Sequence, residues 1–90
     1  MLERHLRITN PLGLHARAAA QLVRQAARFR SQIMLIRDDT GVSANAKSIL
    51  SVLHVAAAYG VSLRLTVDGI DEGEAMNAIE RLFVEGFGEI

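Results

Sequence analysis

The residues best suited to chemistry lie in one short segment, Asn10-Pro11-Leu12-Gly13-Leu14-His15-Ala16-Arg17. Pro11 and Gly13 shape a turn, and an apolar helical pattern starts directly after it, so His15 falls at or beside a helix N-cap. The first amides of that helix, those of Ala16, Arg17 and Ala18, have no intrahelical acceptors. Together with the positive end of the helix dipole they form a nest for an anion. The same dipole disfavours imidazolium, which leaves His15 with a lone pair for nucleophilic attack. Arg17 adds a fixed charge whose planar fork suits phosphate oxygens. A lone histidine or arginine at a helix start is usually just a solvated side chain. Their joint occurrence behind a glycine turn is less ordinary.

A second candidate region follows at residues 45–53. Asn45 is placed to cap another helix, with Ser48 in its first turn, where an added phosphate would meet the favourable end of the dipole. The plainer alternative is that Ser48 only helps to cap. Ile49, Leu50 and Leu53 read either as a docking surface or as partly buried filler. Val52 and Ala56 suffice for the core there, so Leu50 in particular is expected to be exposed. Of the other histidines, His5 shares the outer face of a strand with Glu3 and Arg7, and His54 lies one turn beyond Leu50, at most rimming that surface. No histidine and carboxylate grouping has metal-ligand spacing, and no residue pattern calls for a cofactor.

These segments must be held by the elements around them. Residues 61–67 alternate Val61, Leu63, Leu65 and Val67 with Ser62, Arg64 and Thr66, which marks a strand covered on one side. Leu2, Leu6 and Ile8 share one face of a first strand that Arg4 interrupts. Residues 33–36 read as a short buried strand, and Asp38-Asp39-Thr40-Gly41 as a turn leading to a partner strand at residues 42–44. Helical stripes run through Ala19, Leu22, Val23, Ala26 and Phe29 over residues 16–29, and through Ile49, Val52, Leu53 and Ala56 over residues 46–59, where Gly60 supplies the stop. A third, through Ala75, Ile79, Leu82 and Phe83, spans residues 72–85, with Asp71 and Glu74 in capping-box spacing. The order β-α-β-β-α-β-α gives an α+β fold, a four-stranded, mostly antiparallel sheet with three helices on one face.

Composition sets outer bounds. Ninety residues make a single domain, residues 1–90. No apolar run approaches the roughly 18 residues of a membrane span, the first residues lack a signal-peptide pattern, and the absence of cysteine suits a reducing cytoplasm. Zero net charge and only four aromatic residues argue against nucleic-acid binding. Arg17, Arg24, Arg28 and Arg30 make the first helix basic, which suits an acidic protein partner.

Gly13-Leu14-His15-Ala16-Arg17 resembles the active-site signature of the HPr family, the histidine phosphocarriers of bacterial phosphotransferase systems. Asn45-Ala46-Lys47-Ser48-Ile49-Leu50 is similar to that family's regulatory segment, and Asp71-Glu72 and Phe87-Gly88-Glu89 match its habits. The resemblance covers the whole chain and implies an open-faced β-sandwich. It implies phosphorylation of His15 by enzyme I, itself charged by phosphoenolpyruvate, stabilisation by Arg17, onward transfer to an enzyme IIA-type acceptor, and partner docking on the first two helices. In some relatives a dedicated kinase modifies the serine that corresponds to Ser48. Three positions depart from the pattern. Ala18 replaces a proline in the first helical turn, restoring an amide hydrogen. Leu12 replaces a small polar residue, as in nitrogen-branch carriers, and Ala56 stands where glycine is common. A carrier of this kind is a covalent intermediate rather than an enzyme, and a monomer leaves its active face open to successive partners. The alternatives are a mainly regulatory relative (nitrogen-branch or Ser48-controlled) and, from other classes, a small-ligand or RNA-binding α+β module.

Overall fold

The computed structural model describes residues 1–55 and 57–89. In chain order the elements are β1 (Leu2–Arg7), α1 (Ala16–Ala26), β2 (Gln32–Arg37), β3 (Ser43–Asn45), α2 (Ile49–Val55), β4 (Ser62–Asp68) and α3 (Glu72–Val84), followed by a 3-10 turn over Gly86–Gly88. The strands form one sheet in the order β1-β4-β2-β3, and each pairing is antiparallel.

Alternation decides which face is covered. Leu63, Leu65 and Val67 of β4 and Ile33 and Leu35 of β2 are fully buried beneath the helices, with Leu35 opposite Leu65 and Ile33 opposite Val67. Burial of one such side chain contributes roughly 1.5–3 kcal/mol. Leu22 and Ala26 of α1, Val52 of α2, and Ala75, Met76 and Ile79 of α3 close over them. Ser62, Arg64 and Thr66 stay on the open side, so the helices cover one face of the sheet, as the element order implied, and the whole is the open-faced sandwich that the resemblance implied. Arg4, which breaks the apolar face of β1, sits at the sheet edge with its Nε 3.5 Å from Glu80 Oε2 on α3.

α1 stops short of its apolar stripe and α2 starts late, and local hydrogen bonds say why. After Ala26 the amides of Arg28 and Phe29 bond three residues back, to Gln25 and Ala26 (both 3.2 Å), tightening the last turn. The Phe29 carbonyl then accepts from Lys47 Nζ at 2.7 Å. α2 begins at Ile49 rather than Ala46, because the Ala46 amide still bonds to Ile33 O (2.9 Å) beside the sheet. Asn45 caps a turn instead of the helix: its Oδ1 accepts from the Lys47 amide at 2.9 Å. Ser48 does the capping, its Oγ accepting from Ser51 N (3.3 Å) and its carbonyl from Val52 N (3.0 Å). At the other end the Val55 carbonyl is taken by Arg37 Nη1 at 3.1 Å. Val55 is buried while Ile49 and Leu53 of the expected stripe are over a third exposed. Ala56, assigned to that stripe from the sequence, lies outside the described residues.

The capping box anticipated at α3 does not form. Asp71 occupies the N-cap but makes no side-chain cap bond. Its carboxylate instead accepts from Arg30 N (2.9 Å), Ser31 N (2.9 Å) and Ser31 Oγ (2.5 Å). The chain between α1 and β2 offers three donors that have no other partner among the described residues, and they take the carboxylate from the local amides of α3.

Candidate functional site

His15 is the N-cap of α1, with extended backbone (φ −74°, ψ 177°). Its carbonyl accepts the first helical bond, from Ala19 N at 2.8 Å, and its Nδ1 accepts from Arg17 N at 3.3 Å. Of the amides expected to form the anion nest, Arg17's therefore already faces the ring nitrogen, while those of Ala16 and Ala18 belong to the same acceptor-free first turn. The Arg17 side chain is exposed and its guanidinium meets no acceptor among the described residues. The Ala18 methyl group is fully buried, part of the α1 packing face.

The loop that presents His15 is set by close backbone contact. Gly13 has φ +67°, and a Cβ there would stand 2.5 Å from Ala57 O. Leu14 N donates to the same carbonyl (2.8 Å), Gly13 N bonds to Asn10 O (3.1 Å), and Ile8 exchanges backbone bonds with Gly60 and Val61 (2.9 and 3.0 Å). The segment before α1 is thus fastened to the segment that follows α2. Asn10, buried beneath it, donates from Nδ2 to Gly13 O at 2.8 Å.

One contributor went unrecognised in the sequence. Glu89, noted there only as a terminal habit, places Oε2 2.5 Å from His15 Nε2, while its Oε1 accepts from Asn10 Nδ2 at 3.3 Å. The hydrogen bond from His15, and to a lesser degree that from Asn10, holds the Glu89 carboxyl below the usual carboxylate range. No local signal marks a residue that lies 74 positions from its partner.

Ile49, Leu50 and Leu53 are 40, 77 and 36 % exposed, and Leu12 beside His15 is 68 % exposed. Ser48 is half-buried at the head of α2, and the exposed His54 lies on the same helix. His5 is on the opposite, open face of the sheet, 3.9 Å from Asp38 Oδ2. Among the described residues no set of three or more potential ligands could hold a metal, and no helix is long and apolar enough to cross a membrane.

The family model for the PTS HPr component phosphorylation site matches residues 2–85. The chain is 49% identical to the phosphocarrier protein HPr of Treponema pallidum (strain Nichols) over 89 residues, which span 99% of each sequence. Among solved structures, HPr-C-His from Thermoanaerobacter tengcongensis superposes with a TM-score of 0.92 at 39% identity, covering 100% of this chain and 99% of that one. A structure described as an HPr dimer from the same organism gives 0.77 at 39% identity, covering 99% and 100%. Agreement in sequence and fold runs the length of the chain: the chain belongs to the HPr family of phosphocarriers of the phosphotransferase system.

Proposed function

We propose that this chain accepts a phosphoryl group from phospho-enzyme I on His15 and passes it to an enzyme IIA-type acceptor. The observation that carries the reading is the placement of His15 Nδ1 at the head of α1, 3.3 Å from the Arg17 amide. The Nδ1 lone pair attacks phosphorus while the bond from phosphorus to its donor breaks, the donor keeping that pair. The transferred oxygens then lie over the amides of Ala16, Arg17 and Ala18, where backbone N–H groups and the helix dipole favour negative charge. Arg17, exposed and uncommitted, is free to swing onto them. The protein is a covalent intermediate and not a catalyst, because it must be discharged before it can act again. Exposed Ile49, Leu50 and Leu53 form the docking surface for both partners in this reading. A cytoplasmic location goes with it, since a cysteine-free chain has no need of an oxidising compartment.

The test is incubation with enzyme I and labelled phosphoenolpyruvate. Wild-type chain should take up acid-labile label, and His15→Ala should fold but take up none, because neither His5 nor His54 is at a helix head. Undiminished labelling of His15→Ala would overturn the assignment.

A regulatory reading, nitrogen-branch or controlled by a serine kinase, draws on Ser48, whose half-buried hydroxyl adjoins exposed Ile49 and Leu50. Acid-stable label on Ser48 from a kinase would favour it. A monomer is the working state, since both transfers need the same face, and sedimentation equilibrium decides between it and a dimer.

A further inference from the structure

We infer that Asn10 is a positioning residue for phosphoryl uptake: it fixes the plane of the peptide between Gly13 and Leu14, and with it the entry of His15 onto α1. The inference deepens the phosphocarrier reading and rests on it.

Asn10 grips Gly13 with its main chain and its side chain at once. Its carbonyl accepts from Gly13 N at 3.1 Å, closing a turn with asparagine first, Pro11 second and glycine last, each a residue type favoured at its place. Its Nδ2 donates to Gly13 O at 2.8 Å. The next amide, that of Leu14, donates to Ala57 O at 2.8 Å. The Gly13 carbonyl and the Leu14 N–H belong to one planar peptide unit. That unit is therefore held at both ends, by Asn10 on one side and by the chain beyond α2 on the other.

The unit needs holding because of the residue before it. A peptide plane can rotate about its two flanking torsions with little change in chain path, and Gly13, at φ +67°, has no Cβ to oppose the rotation. Downstream the chain is already committed. The Leu14 side chain is 4 % exposed, and His15 O accepts from Ala19 N at 2.8 Å. A turned peptide would leave Leu14 N facing away from Ala57 O. It would also disturb the extended His15 backbone (φ −74°, ψ 177°) that sets Nδ1 against the Arg17 amide.

Packing alone does not account for an asparagine here. Asn10 is 1 % exposed, and its Oδ1 meets no donor among the described residues, a cost that an apolar side chain would avoid. What the amide contributes is its donor group. Both atoms that face Nδ2, Gly13 O and Glu89 Oε1 (3.3 Å), only accept, which assigns the NH2 to that side. The shorter bond goes to Gly13, so the grip on the loop does not pass through Glu89.

The experiment compares wild type, Asn10→Ala and Asn10→Ser by amide hydrogen exchange and by the rate of phosphoryl uptake from phospho-enzyme I. Alanine keeps the main-chain bond of the turn and removes only the grip on the Gly13 carbonyl, while serine puts a donor on a shorter arm. In Asn10→Ala the Leu14 amide should exchange roughly tenfold faster, the scale of one hydrogen bond, with the Gly13, Ile8 and Gly60 amides unchanged. Uptake should slow roughly tenfold in kcat, inside the 10²-fold that a misplacement of about 1 Å can cost. KM for phospho-enzyme I should stay the same, because Ile49, Leu50 and Leu53 lie apart on α2. Asn10→Ser should fall between in both measurements, and it decides on the same two readouts if Asn10→Ala does not fold. The losses should recur in a Glu89→Ala background. Wild-type exchange at Leu14, faster exchange with undiminished kcat, or losses that vanish in the Glu89→Ala background would each overturn the inference. A wild-type chain that takes no phosphate would end the carrier reading and Asn10's part in transfer with it, while Leu14 exchange would still report whether Asn10 holds the peptide.

Discussion

A Cβ on Gly13 would stand 2.5 Å from the carbonyl oxygen of Ala57 and 2.9 Å from Ala58 Cα, so the loop before His15 closes directly onto the chain beyond α2. The positive φ of Gly13 and this contact act together, and no side chain satisfies both. Gly13→Ala should destabilise by about 1–3 kcal/mol, the usual range for strain forced at such a site. Since Leu14 N must draw away from Ala57 O, phosphoryl uptake should fall as well. Thermal unfolding checks the first effect and labelling the second. A variant that melts and labels like wild type would show that the loop tolerates a displaced register.

Arg17 has no packing duty to lose. Arg17→Ala should therefore change stability by less than about 0.5 kcal/mol and slow phosphoryl transfer by roughly 10²-fold, the scale of removing one donor from a developing anion. Lysine should restore only part of the rate, because it brings charge without the planar fork. A large stability loss with intact transfer would mean that the guanidinium is structural.

Leu50, at 77 % exposure, is the sharpest probe of the docking surface. Leu50→Asp should leave melting within about 0.5 kcal/mol and weaken enzyme I binding in titration calorimetry. Phosphate on Ser48 should act the same way, through roughly −1.5 to −2 charges beside the patch. Unaltered affinity in Leu50→Asp would move the docking surface elsewhere.

The Asp71 carboxyl lies at about 2, mainly through the Ser31 hydroxyl and next through the Arg30 amide. A folded-state value below the unfolded one of about 3.9 means that the stabilisation is fully present above the unfolded value and is lost as pH falls through the folded one. Asp71→Asn should melt below wild type at neutral pH, and the gap should narrow as pH falls from about 4 toward 2. A gap that stays constant across that window would show that the charge of Asp71 contributes nothing beyond its shape.

Local rules made the strands at residues 33–36 and 61–67, the sheet covered on one side and the start of α1 at His15 readable, because alternation, helical periodicity and a glycine turn are set by neighbours in the chain. The same rules misplaced the ends of α1 and α2 and the capping of α3. There the deciding partners were Lys47 for Phe29, Arg37 for Val55 and Ser31 for Asp71, residues 18, 18 and 40 positions away. The active loop divides in the same manner. The placement of His15 and Arg17 at the head of α1 was readable from spacing, whereas the contact of Glu89 with His15 depends on three left-handed residues, a buried Phe87 among them, that return the chain to α1. Hydrogen-bond donors at element ends choose whichever acceptor the fold brings near, and that choice exists only once the chain has closed on itself.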